Sequence, residues 1–148
     1  MAELPVTSRG VVYPWHMDHM GHMNVQHYVA MFHHGTWIFF AQVLGMDTAF
    51  FREHQTGMVA VEQTLKYRRE LVAGDIVDIR SGLLEIKDKS IRFFHRMTHG
   101  GTGALVATSV YTGVYLDTQA RKSVPLPAEV KARGLDWIVP EERVDAEA

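Results

Sequence analysis

Cysteine is absent from this chain of 148 residues, and its absence excludes several kinds of chemistry. Without thiols there is no disulfide, no thiolate metal ligand and no cysteine nucleophile, and the composition is compatible with a reducing compartment. No run of lysine and arginine exceeds two residues, and the formal net charge is −2. The sequence therefore lacks the basic patch that is typical of proteins that bind nucleic acid or a membrane surface.

Long apolar runs and export signals are also missing. No apolar segment approaches the roughly 18 residues of a membrane-spanning helix. The first ten residues, MAELPVTSRG, have neither the basic nor the apolar region of a secretion signal. We therefore expect a cytoplasmic protein with no membrane partner. With 47% hydrophobic residues and 22% charged residues, the chain has the balance of one globular domain over residues 1–148.

The longest apolar helical pattern follows directly after a polar loop. Residues 13–44 read YPWHMDHMGHMNVQHYVAMFHHGTWIFFAQVL. Asn24 is a good N-cap residue because its side-chain oxygen can accept a hydrogen bond from a first-turn amide, so we predict a helix from Val25 to about Leu44. The second half of this helix is apolar all round and has to be covered on most of its circumference.

Five further segments have the two-fold alternation or the β-branched composition of strands. They are residues 9–13, 58–67, 77–86, 90–98 and 104–116. Tight turns between the last four favour antiparallel neighbours, so we predict an α+β fold in which an antiparallel five-stranded sheet wraps around one long central helix. Other expectations are loose residues 1–8, a brief helix over residues 47–53, a bulge at Gly82, and a tail over residues 119–148 with one helical turn at residues 128–132.

One curled sheet leaves part of the helix uncovered, which predicts a homodimer or homotetramer.

The loop before the helix contains the most chemically suggestive residues. The sequence has no G-x-S-x-G elbow, no P-loop and no H-E-x-x-H motif, whereas the loop HMDHMGHMN has one carboxylate, Asp18. A carbonyl held at the helix start could have its developing negative charge stabilised there. From the residues alone, an ordinary turn residue is the favoured interpretation of Asp18. The equally spaced His16, His19 and His22 match no known ligand pattern, so we predict neither a metal nor another cofactor.

These loop residues resemble those of a known superfamily. Asp18-x-x-Gly21 before a long helix is similar to the Asp-containing loop of the 4-hydroxybenzoyl-CoA thioesterase branch of the hotdog-fold superfamily. The wider spacing of Asp18, His22, Asn24 and Tyr28 resembles the D-x-x-x-H-x-N-x-x-x-Y stretch of plant-type acyl-carrier-protein thioesterases, which share that fold. The stretch YRREL at residues 67–71, followed by Gly-Asp at residues 74–75, is similar to the strand and turn after the short helix in these families. The resemblance covers residues 9–118.

The resemblance implies a hotdog-fold acyl-CoA thioesterase that releases CoA and a carboxylic acid. It makes Asp18 the nucleophile or general base and the backbone amide near Val25 the donor to the thioester oxygen, with His22 and Asn24 in positioning or catalytic roles. Substrate-binding candidates are Gly21, Tyr28, Glu62, Lys89 and Arg92. The alternatives are an acyl-carrier-protein thioesterase and a non-catalytic acyl-CoA binding module.

Overall fold

The computed structural model describes residues 3–147, which form one sheet around one long helix. The strands are β1 (Val6–Val11), β2 (Thr56–Tyr67), β3 (Ile76–Ile86), β4 (Ser90–His99), β5 (Leu105–Asp117) and β6 (Lys122–Ser123). The helices are α1 (Val25–Ile38), which continues as a π-helical turn (Phe39–Val43), α2 (Thr48–His54) and α3 (Ala128–Leu135), with 3-10 turns at Pro14–His16 and Glu141–Arg143. The sheet order is β1-β3-β4-β5-β2, all neighbours are antiparallel, and β6 adds to β5. The predicted α+β architecture is confirmed.

Helix α1 begins where its cap residue predicts. The Asn24 side-chain oxygen accepts a hydrogen bond from the Gln26 amide at 3.1 Å. The helix packs closely on the sheet at Gly35, where an added Cβ would lie 3.1 Å from the Thr7 hydroxyl and 3.2 Å from the Ile79 side chain. A larger residue at this position would push the helix away from β1 and β3. The buried face of α1 consists of Tyr28, Met31, Phe32, Gly35 and Thr36.

The N-terminal residues differ from the prediction, because β1 starts at Val6 instead of residue 9. Leu4 is buried against Phe94, and the Thr7 hydroxyl lies 2.7 Å from the hydroxyl of Ser81 on β3. A threonine in a short polar segment predicts a loop when only local composition is considered. Its position in the sheet depends on a partner 74 residues away in sequence.

The C-terminal segment, residues 119–147, is also more ordered than predicted. Helix α3 has eight residues instead of one turn, and Val130 and Val144 are buried. Beyond α3, the Val139 amide donates to the Leu83 carbonyl oxygen at 2.9 Å and thereby extends the sheet next to β3. The predicted tail was wrong for this segment because its apolar residues are widely spaced and match no local period.

Strand β2 lies at one edge of the sheet and is less buried than its alternation predicts. Val59 and Val61 are 43% and 60% exposed. The register against β5 shifts between Ala60 and Glu62, so the phase of the strand changes at this bulge. A second shift, between Leu83 and Glu85 of β3, lies one residue beyond the predicted bulge at Gly82. Among residues 3–147, no helix is long and apolar enough to cross a membrane.

Candidate active site

The loop before α1 is folded back on itself by its own backbone. The Asp18 amide donates to the His22 carbonyl oxygen at 3.1 Å, and the Gly21 amide donates to the Asp18 carbonyl oxygen at 3.1 Å. Gly21 has a φ of 84°, a conformation that glycine adopts without strain. The loop is therefore held at both ends, and its side chains extend from a defined scaffold.

The Asp18 carboxylate accepts two hydrogen bonds. One oxygen accepts from the Met20 amide at 2.9 Å, and the other accepts from the Asn24 side-chain amide at 2.9 Å. The bond from Asn24 is the main cause that lowers the pKa of Asp18 below its usual value of 3.8; the bond from Met20 and the nearby His22 and His19 add to this effect. Asp18 is therefore ionised at neutral pH and held in one orientation.

Asn24 connects this carboxylate to the start of the helix. Its side-chain nitrogen donates to Asp18, while its side-chain oxygen accepts from the Gln26 amide, so the two ends of one amide group point in opposite directions. Its backbone amide donates to the His16 carbonyl oxygen at 2.9 Å. Three bonds from one residue thus fix this loop relative to the first turn of α1.

A cavity of about 260 Å³ opens at the helix start. Its walls are His22, Met23, Val25, Tyr28, Tyr67, Arg68, Arg69 and Glu70. Within the described part of the chain, the amide of Val25 has no hydrogen-bond partner, as expected for the first turn of a helix. This amide and the positive end of the helix dipole could therefore stabilise an oxyanion at the cavity wall. Asp18 does not itself line the cavity in the single chain.

His22 lies between the loop and the cavity. Its Nδ1 is 3.2 Å from the Met23 carbonyl oxygen, which can only accept, so Nδ1 carries a proton. Its Nε2 lies 3.9 Å from a Glu70 carboxylate oxygen. His22 is therefore oriented by the backbone on one side and faces an acid on the other.

Three predicted substrate-binding residues lie outside this cluster. Arg92 forms two hydrogen bonds to the Glu141 carboxylate, at 3.0 and 3.2 Å, and this pairing lowers the pKa of Glu141. Glu62 and Lys89 are exposed, in β2 and in the turn before β4. The structure thus brings Asp18, Gly21, His22, Asn24, Val25 and Tyr28 together but not Glu62, Lys89 or Arg92.

A buried histidine that the sequence analysis did not consider lies under α1. His95 of β4 has no exposed surface, and its two ring nitrogens contact Ser81 and Thr36. The alternation of Ile91, Phe93 and Met97 places residue 95 on the inward face, so the signal was present in the sequence. In the described residues, no three His, Cys, Asp or Glu side chains are grouped so that they could hold a metal ion.

A curled antiparallel sheet around one long helix, with an ionised aspartate in the loop before it, is the arrangement predicted above for a hotdog-fold thioesterase. The family profile described as the thioesterase-like superfamily matches residues 12–134. The chain belongs to this superfamily. The predicted family and fold are thereby confirmed.

The chain is 32% identical over 117 residues to the L-carnitine dehydrogenase/betainyl-CoA thioesterase of Rhizobium meliloti. The matched region covers 79% of this chain and 23% of that protein. The chain thus spans less than a quarter of that relative's length. It is 25% identical over 133 residues to the betainyl-CoA thioesterase of Pseudomonas aeruginosa, with 90% of this chain and 83% of that protein covered.

Among solved structures, a hypothetical protein of Staphylococcus aureus in complex with CoA matches with a TM-score of 0.84 at 17% identity. That match covers 100% of this chain and 98% of the other. A gentisyl-coenzyme A thioesterase matches with a TM-score of 0.74 at 23% identity and covers 85% and 97% of the two chains. At these identities the likeness shows the fold.

Proposed function

We propose that the protein hydrolyses acyl-CoA thioesters to CoA and a carboxylic acid, with Asp18 as the catalytic carboxylate. The observation that carries the proposal is the Asn24 side chain, which bonds to Asp18 at 2.9 Å and to the first helical turn at 3.1 Å. One residue thereby ties an ionised carboxylate to the helix turn whose Val25 amide can stabilise an oxyanion. Family membership and thioesterase relatives support the same activity.

In this reaction the thioester carbonyl oxygen accepts a hydrogen bond from the Val25 amide. Asp18 then acts in one of two ways. As a nucleophile, it forms a bond to the carbonyl carbon, the carbon–sulfur bond breaks to release CoA thiolate, and water hydrolyses the resulting anhydride. As a base, it takes a proton from water while the water oxygen attacks the carbonyl carbon; the carbon–sulfur bond then breaks, and CoA leaves as the thiolate or with the proton that Asp18 returns. His22 and Asn24 keep the loop in place in both cases.

A second copy of the chain is part of the proposal. The long edge strand β2 leaves one row of backbone groups unpaired among the described residues, and Val59 and Val61 are exposed on it. On α1, Val25 and Trp37 are 56% and 51% exposed. We therefore propose a homodimer that pairs along β2 and covers this side of α1. Residues 1–148 would act as one thioesterase domain, and the cysteine-free composition is in keeping with a cytoplasmic site of action.

The experiment is a thiol-release screen over short, medium, branched, aromatic and cationic acyl-CoAs. Because two relatives are betainyl-CoA thioesterases, betainyl-CoA belongs in the cationic group. Matched acyl-carrier-protein thioesters are assayed beside the best CoA esters. We expect thiol release from at least one acyl-CoA and slower release from its carrier-protein counterpart. Calorimetric binding of CoA esters with no thiol released from any would refute the proposal in favour of a binding module.

A further inference from the structure

Two tyrosines form an aromatic corner in the cavity at the start of α1. The rings of Tyr28 and Tyr67 lie 5.1 Å apart between centroids and 83° apart between planes. Tyr28 is almost fully buried, whereas Tyr67 is 43% exposed. Both line the cavity that Val25 also lines, so a ligand in the cavity meets two aromatic side chains whose planes are nearly perpendicular.

One carboxylate at this corner is available to a cation. Glu70 lines the same cavity, its side chain is 77% exposed, and among the described residues its carboxylate has one ion-pair partner, His22, at 3.9 Å. Arg68 and Arg69 also line the cavity, but each is paired with an acid of the C-terminal segment. Arg68 lies 3.2 Å from the Asp145 carboxylate, and Arg69 lies 3.0 Å from the Glu147 carboxylate. Lys66 also lies 3.2 Å from Asp145, so these two acids are shared among three cations. Each guanidinium is nevertheless held by an acid, whereas Glu70 has no lysine or arginine partner among the described residues.

We infer that the corner of Tyr28 and Tyr67, together with Glu70, is the subsite for a quaternary ammonium group carried by the acyl chain. Such a group has no N–H to donate, so aromatic faces and a carboxylate are the partners that recognise it. This inference rests on the proposed thioesterase function, because the position of the acyl group is set by the thioester carbonyl that the Val25 amide binds in that proposal.

The dimensions agree with a small cationic acyl group. From Val25 to Tyr28 the helix rises by about 4.5 Å, and a cation within about 6 Å of a ring centroid is attracted to it. An ammonium nitrogen two bonds from the carbonyl carbon therefore lies within reach of the aromatic corner. The cavity volume of about 260 Å³ is smaller than the roughly 300 to 1,000 Å³ of sites for drug-sized ligands.

The test compares betainyl-CoA with 3,3-dimethylbutanoyl-CoA, in which carbon replaces the charged nitrogen and the shape is retained. We expect the wild-type protein to prefer the cationic ester by about tenfold in kcat/KM, since a desolvated cation–π contact contributes on the order of one factor of ten. Tyr67→Leu and Glu70→Gln should each reduce this preference at least threefold. Tyr67→Phe retains the ring, and Glu129→Gln removes an exposed acid on α3, so both should keep the preference.

A second readout is independent of turnover. Calorimetry on the Asp18→Asn variant should show tighter binding of betainyl-CoA than of its neutral counterpart, and Tyr67→Leu in that background should remove the difference. Equal kcat/KM and equal binding for the two esters would overturn this inference while leaving the thioesterase function standing. Conversely, tighter binding of the cationic ester without hydrolysis of any ester would support the subsite and refute the proposed activity.

Discussion

His95 should make the stability of this protein strongly dependent on pH. The ring has no exposed surface; its Nδ1 lies 2.5 Å from the Ser81 hydroxyl, and its Nε2 lies 2.8 Å from the Thr36 hydroxyl. Each hydroxyl can donate or accept, so the two satisfy both ring nitrogens of a neutral imidazole. Burial is the main cause that lowers the pKa of His95 to about 3, and the electrostatic influence of the nearby His33 adds to it.

The sign of the effect follows from the two protonation states. The folded pKa of about 3 is below the ordinary value of 6.5, so below pH 6.5 the unfolded chain binds a proton that the folded chain does not. The free energy of unfolding must then fall as the pH falls from about 6.5 to about 3. At 1.36 kcal/mol per pH unit, the loss by pH 5 is about 2 kcal/mol, and the full loss at pH 3 is about 5 kcal/mol.

The assay is urea unfolding at pH 7.5 and pH 5.0. His95→Gln should have lower stability at pH 7.5 because the network is disturbed, but its stability should fall between the two pH values by about 2 kcal/mol less than that of the wild type. All other titrating groups cancel in this difference. His19→Gln, at an exposed loop position, is the control and should keep the wild-type pH dependence. If His95→Gln and the wild type lose equal stability, the assignment of a buried neutral imidazole is wrong.

The remaining predictions concern the loop and the edge strand. Asn24→Ala should lower the free energy of unfolding by about 1 kcal/mol, raise the pKa of Asp18 and reduce turnover. Unchanged turnover would show that the helix start is not part of the active site. His22→Ala should reduce turnover with a smaller effect on denaturant unfolding. Light scattering should give about twice the chain mass of 16.8 kDa, and Val61→Lys should yield monomers. A fully active wild-type monomer would refute the dimer.

Local signals predicted the central part of the fold. The cap at Asn24 defines the start of α1 because it depends on contacts within one turn, and Gly45, with a φ of 74°, ends the helical run for the same reason. The strands from β2 to β5 follow from alternation and from tight turns between neighbours. Asp18 stood out because no other carboxylate lies in its loop.

Features that depend on distant partners could not be predicted in this way. Thr7 belongs to a strand because Ser81 meets it across the sheet, and Val144 is buried because the chain end crosses back over the sheet. The cavity wall at Tyr67 and Glu70 was visible as sequence, but only the packing of β2 against the start of α1 shows that these side chains share one space. Strand alternation also cannot show which strand lies at the edge.

The turnover of Asp18→Asn tests the central claim most directly. Asparagine keeps the size of the side chain and removes its charge, so the fold should survive, as circular dichroism and unfolding can verify. Asp136→Asn, at an exposed position after α3, is the matched control. With the best acyl-CoA from the screen, and protein free of host thioesterases, we predict at least a 100-fold loss of turnover for Asp18→Asn and none for the control. If Asp18→Asn retains more than about a tenth of wild-type turnover, Asp18 is not the catalytic carboxylate.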